Sequence, residues 1–116
     1  MIIVYSGNKF DIEFIEFGNG KSEAEEFYNG LSEKDKVGIY KLFMALGNNG
    51  FIKSKTHFIY EGDKIYAFKN EQVRFLCFFT NERKVVITHG FIKKQDKIPA
   101  NEKEKALKVK KLYEKG

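Results

Sequence analysis

Basic and proton-exchanging side chains follow the end of one apolar segment of the chain. Residues 85–94 read V-V-I-T-H-G-F-I-K-K, so His89 and the pair Lys93 and Lys94 come directly after aliphatic residues. An imidazole exchanges a proton near neutral pH, and ammonium groups stabilise negative charge. A strand that ends in this combination is suited to binding or cleaving a polyanion.

An arginine interrupts a second apolar segment, V-R-F-L-C-F-F at residues 73–79. A guanidinium in such surroundings needs a partner, and two interpretations of Arg74 remain open. The first is an ion pair with Asp63, Glu71 or Glu82 near the edge of a sheet. The second is a clamp whose planar fork binds two oxygens of a phosphate.

Residues 84–99 closely resemble the signature of a known family. In the phage-derived, HigB-like branch of the RelE toxin superfamily, the last strand reads aliphatic-aliphatic-His-Gly-Phe-x-Lys-Lys, and a Lys-x-Pro turn leads into a basic helix. The chain has V-V-I-T-H-G-F-I-K-K-Q-D-K-I-P at this place. RelE-type toxins also carry an RNA-contacting arginine at the start of the preceding strand, where this chain has Arg74. The resemblance implies the toxin of a type II toxin–antitoxin pair.

The resemblance also implies an activity and the residues that perform it. The toxin would be a ribosome-dependent mRNA endonuclease that needs neither metal nor cofactor. The RNA 2′-hydroxyl would attack the adjacent phosphate while Arg74 and Lys94 stabilise the developing charge, and His89 is either the acid or base of this reaction or a structural residue. Three further lysines are predicted to bind RNA: Lys69, Lys93 and Lys97.

Two departures from the family pattern affect the predicted chemistry. Lys94 stands where ribosome-dependent relatives have a catalytic arginine, and a lysine lacks the bidentate fork. On the strand before Arg74, where HigB-like relatives often have glutamate, the chain keeps only the basic Lys69, so no general base is evident. The upstream Lys53, Lys55 and His57 are candidates, although an exposed lysine stays protonated unless it is desolvated.

The elements that must position these residues are indicated by periodicity and capping patterns. Residues 10–17 alternate like a half-buried strand, and residues 2–5 form a short strand before it or the start of the same hairpin. Ser22-x-x-Glu25 and Ser32-x-x-Asp35 predict the starts of two helices. Three strands follow at residues 64–69, 73–80 and 84–89.

The terminal segment is predicted to be a lysine-rich helix after Pro99, capped by Asn101-x-x-Glu104, in which Tyr113 packs against the core. The predicted fold is α+β and RelE-like, with two N-terminal helices packed on one face of a small antiparallel or mixed sheet and a basic C-terminal helix. At 116 residues we expect a single domain over residues 1–116.

Charge and composition narrow the class of partner. Residues 1–50 carry a net charge of −3 and residues 51–116 a net charge of +8, which favours an anionic partner. Cys77 is the only cysteine and is predicted to be buried and inert, and with two separated histidines it argues against a metal site. No apolar run reaches the roughly 18–20 residues of a membrane span, so we expect a cytoplasmic protein.

Two other functions stay open beside the endonuclease. A ParE-like inhibitor of DNA gyrase would share the fold without cleaving RNA, and the lack of an evident base favours it. A basic RNA- or DNA-binding module without catalysis would need only the basic half and the aromatic strands. For the toxin, the implied partners are mRNA, the ribosome and a cognate antitoxin, commonly a HigA-like helix-turn-helix protein.

Overall fold

The protein is built around one six-stranded sheet, described by a computed structural model over residues 1–94 and 98–115. The strands are β1 (Ile2–Ser6), β2 (Asp11–Phe14), β3 (Phe58–Gly62), β4 (Ile65–Asn70), β5 (Val73–Phe79) and β6 (Lys84–Ile92). The helices are α1 (Glu23–Asn29), α2 (Glu33–Asn49) and α3 (Ala100–Lys115). None of these helices combines the length and apolar character that crossing a bilayer requires.

The order of the strands across the sheet is β1-β2-β6-β5-β4-β3. All neighbours are antiparallel except β2 and β6, which run parallel. Strands β5 and β6 therefore occupy the centre. This position explains why β5 is apolar on both faces, because both faces must be covered by other elements.

Helices cover both faces of the sheet. On one face α1 and α2 pack over an aromatic core in which the ring of Phe43 meets Phe68 at 4.9 Å and Phe75 at 5.6 Å between centroids. On the other face α3 lays Ala106 and Val109 over a second buried cluster. That cluster contains Ile15, Ile65, Ala67, Leu76, Phe78, Val86 and Phe91.

The predicted fold, a RelE-like α+β arrangement of two N-terminal helices on one face of a small sheet, is wrong. The sheet has six strands, of which the β1–β2 hairpin precedes the helices, and α3 covers the face opposite α1 and α2. The strand β3 was not predicted. Capping patterns locate the start of a helix but carry no information about the face on which it packs. The parallel pairing of β2 with β6 joins segments about 70 residues apart, so no local pattern indicates it.

The predicted starts of α1 and α2 are confirmed, whereas Asn101, predicted to cap α3, lies inside that helix, which begins at Ala100. The hydroxyl oxygens of Ser22 and Ser32 accept hydrogen bonds from the backbone N–H groups of Glu25 and Asp35, each at 3.2 Å. Helix α2 ends at Gly50, whose φ of 83° is a left-handed conformation that glycine adopts without steric cost. Cys77 is buried as predicted, and burial raises the pKa of its thiol, which keeps it protonated.

Gly90, the glycine of the His-Gly-Phe pattern, is required for helix packing. A Cβ atom at this position would lie 2.4 Å from the ring of Phe27 in α1 and 2.8 Å from the ring of Phe75 in β5. The absence of a side chain therefore lets α1 approach β6 closely.

We expect Gly90→Ala to destabilise the protein by about 1–3 kcal/mol, because two aromatic rings must move to admit the methyl group. Gly18→Ala is the matched control, since a Cβ there has no neighbour within 4 Å, and it should change the unfolding free energy by no more than about 0.5 kcal/mol. Urea denaturation followed by circular dichroism measures both. A Gly90→Ala protein as stable as the wild type would contradict the close packing.

Candidate functional site

Three predicted site residues meet at one end of the sheet, on the face covered by α3. Lys69 in β4 lies directly opposite Arg74 in β5, and Arg74 lies opposite Phe91 in β6. Lys93 follows β6 and is fixed by a backbone hydrogen bond from its N–H to the carbonyl of Gln72 at 2.7 Å. The antiparallel register thus brings together cations that are far apart in the sequence.

Arg74 is buried and makes no ion pair with any residue in the described ranges. Its Nη1 donates to the carbonyls of Glu71 at 2.7 Å and Val73 at 2.9 Å. Its Nε is buried and has no hydrogen-bond partner in the part of the chain that the structure describes. Of the carboxylates that the sequence suggested as partners, Asp63 instead pairs with Lys103 at 2.8 Å. The guanidinium is held in place by carbonyl groups and keeps its positive charge uncompensated by direct contact.

The cations of this cluster repel one another. Burial lowers the pKa of Arg74, and burial followed by the charges of Arg74 and Lys93 lowers the pKa of Lys69. In both cases the carboxylate of Glu61 acts in the opposite direction. A phosphate bound here would relieve the repulsion, which is the electrostatic signature of an anion site.

Glu61 is a site residue that the sequence reasoning missed. It lies in β3, where the pairing register with β4 shifts between Tyr60 and Gly62. The missed signal is the Gly62-Asp63 turn that joins two aromatic-rich segments, a pattern typical of a hairpin. Because β3 was not predicted, no carboxylate was expected beside Lys69.

A groove of about 440 Å³ runs between the β3–β4 edge and the start of α3. It is lined by Ile59, Glu61, Lys69, Lys93, Ile98, Ala100 and Lys103. The groove thus places one carboxylate among three ammonium groups. Arg74 adjoins it through its cross-strand neighbour Lys69.

Simple alternation along β6 predicts that His89 shares a face with Val85 and Ile87, but the structure places it on the other face. The register of β6 shifts next to Thr88, so that Cys77 pairs with Ile87 while Leu76 pairs with His89. The extra residue forms a β-bulge, which turns the imidazole to the α3 face.

The imidazole of His89 is only 1% exposed, and both of its nitrogens bind other protein groups. Nε2 lies 3.1 Å from Oε1 of Glu102, and Nδ1 lies 3.0 Å from the hydroxyl of Thr88. Glu102 belongs to the first turn of α3, so His89 joins that turn to the central strand. Burial lowers the pKa of His89, and the hydrogen bond to Glu102 opposes this shift.

The remaining predicted residues occupy different surroundings. Lys94 is exposed just beyond β6, and Lys97 lies outside the described residues. Of the upstream candidates for a base, His57 is next to the cluster, because its carbonyl accepts a hydrogen bond from the N–H of Lys69 at 2.8 Å. Lys53 and Lys55 are exposed.

Two further predictions, the packing of Tyr113 and the lack of a metal site, concern residues outside the cationic cluster. Tyr113 packs edge-on against Phe78 with 5.3 Å between ring centroids, which confirms its predicted packing role. Across residues 1–94 and 98–115, no three His, Cys, Asp or Glu side chains are grouped as metal ligands would be.

The family model described as Phage derived protein Gp49-like (DUF891) matches residues 26–111 of the chain. The match runs from α1 into α3 and includes Glu61, the basic cluster and His89. The chain therefore belongs to the Gp49-like phage-derived family, a toxin-like family related to the RelE/HigB type. No curated protein matches the chain.

The burial of the His89 imidazole predicts how the stability of the protein depends on pH. Because the pKa of His89 is lowered in the folded protein, the unfolded chain binds a proton more readily below about pH 6.5. Stability is therefore fully present above that pH and is lost as the pH falls through it. We expect the melting temperature to drop between pH 7.5 and pH 5.5, by roughly 4 °C for each 1 kcal/mol lost.

His89→Gln should show a smaller drop, because glutamine does not titrate. His57→Gln, which alters the only other histidine of the chain, is the control and should keep the wild-type drop. Thermal melts by circular dichroism at the two pH values measure the difference. An equal drop in wild type and His89→Gln would show that another group is responsible.

Proposed function

We propose that this protein is the toxin of a type II toxin–antitoxin pair and that it cleaves mRNA on the ribosome without a metal ion. Membership of a toxin-like family supports the first part. The observation that carries the second part is the cluster of Arg74, Lys69 and Lys93. The positive charges of this cluster repel one another, and the buried Nε–H of Arg74 has no partner among the described residues. Such a cluster is prepared for an anion of the size and charge of a phosphate.

Arg74 is the central group of the proposed phosphate site. Its two hydrogen bonds to carbonyls fix the plane of the guanidinium before RNA binds. A donor that is already oriented needs no reorganisation when negative charge develops on the phosphate oxygens, and this preorganisation is what makes electrostatic catalysis effective. Lys69 and Lys93 flank this group and add charge on the side of the groove.

Glu61 is the general base in the proposed reaction. Its negative charge acts to raise the pKa of both Lys69 and Arg74, so it is close enough to interact with both cations. It would accept the proton of the RNA 2′-hydroxyl as the 2′-oxygen bonds to phosphorus and the bond to the 5′-oxygen breaks. The products are a 2′,3′-cyclic phosphate and a 5′-hydroxyl that takes its proton from solvent, while Lys94 stabilises the leaving oxygen.

His89 has a positioning role in this proposal. With both ring nitrogens bonded inside the protein, it holds the first turn of α3 against β6. That turn forms one wall of the groove through Ala100 and Lys103. The imidazole therefore acts on RNA through the geometry of the groove.

The ribosome is proposed as the scaffold because the groove is open. Attack by a 2′-hydroxyl requires an in-line arrangement of three atoms, which a flexible RNA strand adopts rarely. Among the described residues, the groove is an open cleft between the β3–β4 edge and the start of α3, and it does not enclose a strand that would lie in it. A message already ordered in a decoding site would supply that geometry.

A cognate antitoxin is the proposed protein partner, as a toxin-like family implies. We propose a small helix-turn-helix protein that inhibits through an acidic segment. Carboxylates lying over Lys69, Lys93 and Lys94 would neutralise the phosphate site and exclude RNA.

We expect Arg74→Ala and Glu61→Gln each to lower the cleavage rate of message on programmed ribosomes by about 10²–10³-fold, because one removes the charge clamp and the other the base. Glu61→Gln should retain binding, since it removes a negative charge near the RNA. Glu33→Gln, an exposed change in α2, is the control with the same charge difference. Gel analysis of RNA ends in the presence of a chelator measures the rates.

The controls of this assay separate the alternatives. Naked RNA should stay intact over hours, and its rapid cleavage would indicate a free ribonuclease. If neither substrate is cut and gyrase-linked DNA damage appears in cells, the ParE-like function replaces the proposed one. If His57→Gln abolishes cleavage while Glu61→Gln does not, the base is His57.

The affinity for RNA should depend on salt through the lysines of the site. We expect Lys93→Glu combined with Lys94→Glu to weaken ribosome or RNA binding and to reduce the slope of log affinity against log salt by about 1.4, which corresponds to two phosphate contacts on single-stranded RNA. Lys34→Glu combined with Lys41→Glu makes the same change in net charge on exposed positions of α2. Equal slopes for the two double variants would show that net charge, rather than this site, determines binding.

A further inference from the structure

A second groove, of about 610 Å³, lies at the C-terminal end of α3. Its lining includes apolar side chains from the segments that flank β1 and β2 and from the last turns of the helix, among them Met1, Ile15, Phe17, Leu112 and Tyr113. The groove is separated from the cationic cluster by most of the length of α3. From Ala100 to Tyr113 this is about 20 Å along the helix axis.

The exposed apolar side chains of the protein concentrate around this groove. Leu112 is 61% exposed, Met1 41% and Phe17 39%. These three are a third of the nine large apolar side chains that are exposed within the described ranges. A contiguous apolar patch of this kind usually marks a protein interface.

The rim of the groove is acidic, which is unusual on a chain with a net charge of +5. Three carboxylates contribute to it: Glu16, Glu82 and Glu114. Glu16 pairs with the N-terminal ammonium of Met1 at 3.0 Å and Glu114 pairs with Lys110 at 2.7 Å, whereas Glu82 makes no ion pair with a described residue. The surface that fits this groove is therefore apolar at its centre and basic at its margin.

The chain itself presents such a surface immediately beside the groove. Lys108, Lys111 and Lys115 are exposed, and they surround Leu112 on the outer face of α3. These three lysines, called here the basic stripe, make no ion pair with residues of the described ranges. The other lysines nearby on α3 do, since Lys103 pairs with Asp63 and Lys105 pairs with Glu23.

We propose that a second copy of this chain occupies the groove and that the protein forms a twofold-symmetric dimer. Leu112 and the basic stripe of one copy would lie against the apolar floor and acidic rim of the other, and the reciprocal contact would form at the same time. A twofold interface requires one self-complementary patch on each subunit. The last turns of α3 provide it, because the groove and the basic stripe adjoin at Leu112.

This inference is independent of the proposed nuclease function. The dimer would leave the groove beside Lys69 open, because that groove lies at the opposite end of α3. The dimer is also expected to weaken with salt, since charge pairs at the margin of an interface are screened.

The test begins with the mass of the protein in solution as a function of concentration. Sedimentation equilibrium from about 1 to 300 μM should show a monomer–dimer equilibrium for the wild type. Leu112→Asp should raise the dissociation constant at least tenfold, since it places a carboxylate against an acidic rim. Val37→Asp is the matched control, because Val37 is 52% exposed on α2 and away from the groove. A wild type that stays monomeric at 300 μM overturns the proposal.

A charge exchange identifies the surfaces that meet. Lys111→Glu combined with Lys115→Glu acidifies the basic stripe, and Glu82→Lys combined with Glu114→Lys makes the rim basic. Each double variant alone should be monomeric, and an equimolar mixture of the two should restore the dimer, because both contacts again join opposite charges. Native mass spectrometry distinguishes the mixed dimer, and circular dichroism verifies that each variant is folded. Folded variants that dimerise alone, or that fail to associate when mixed, overturn the assignment of the interface.

Discussion

The strand β5 must be buried on both faces, and the rest of the structure follows from that constraint. Its alternate residues enter two separate apolar clusters, one under α1 and α2 and the other under α3. A strand of this kind cannot lie at the edge of a sheet or face water on one side. Helix α3 is therefore held across the sheet, and its two ends border the groove beside Lys69 and the groove at Leu112.

At the end of the sheet that carries Arg74 and Lys69, the same packing at least partly buries positively charged side chains close to one another. Arg74 continues the row of β5 side chains that α3 covers, so its guanidinium is buried with the rest of that row. Burial lowers the pKa of both Arg74 and Lys69, the charges of Arg74 and Lys93 lower that of Lys69 further, and Glu61 offsets these effects only in part. Sites that bind a charged ligand commonly retain such uncompensated interactions, because the ligand supplies the missing charge.

His89 shows how one side chain links this site to the stability of the fold. Its hydrogen bond to Glu102 fixes the start of α3, and the start of α3 forms a wall of the groove. Loss of this contact would loosen the groove without removing any of its cations. Gly90, the next residue, has a comparable structural role on the opposite face, where it admits Phe27 of α1. Two residues of the family signature therefore act in the packing of helices against β6.

The sequence by itself determined the local features of the protein. Hydroxyl caps at Ser22 and Ser32 and the basic character of α3 depend on neighbouring residues only, and the apolar run around Cys77 indicates its burial, so these features were predictable. The tertiary structure decided which face each side chain occupies. Alternation along β6 is reset by the bulge at Thr88, and Glu61 reaches the cations through a β3–β4 pairing that was not foreseen. Both depend on registers between strands, which are set by the packing of the whole sheet and not by any local pattern.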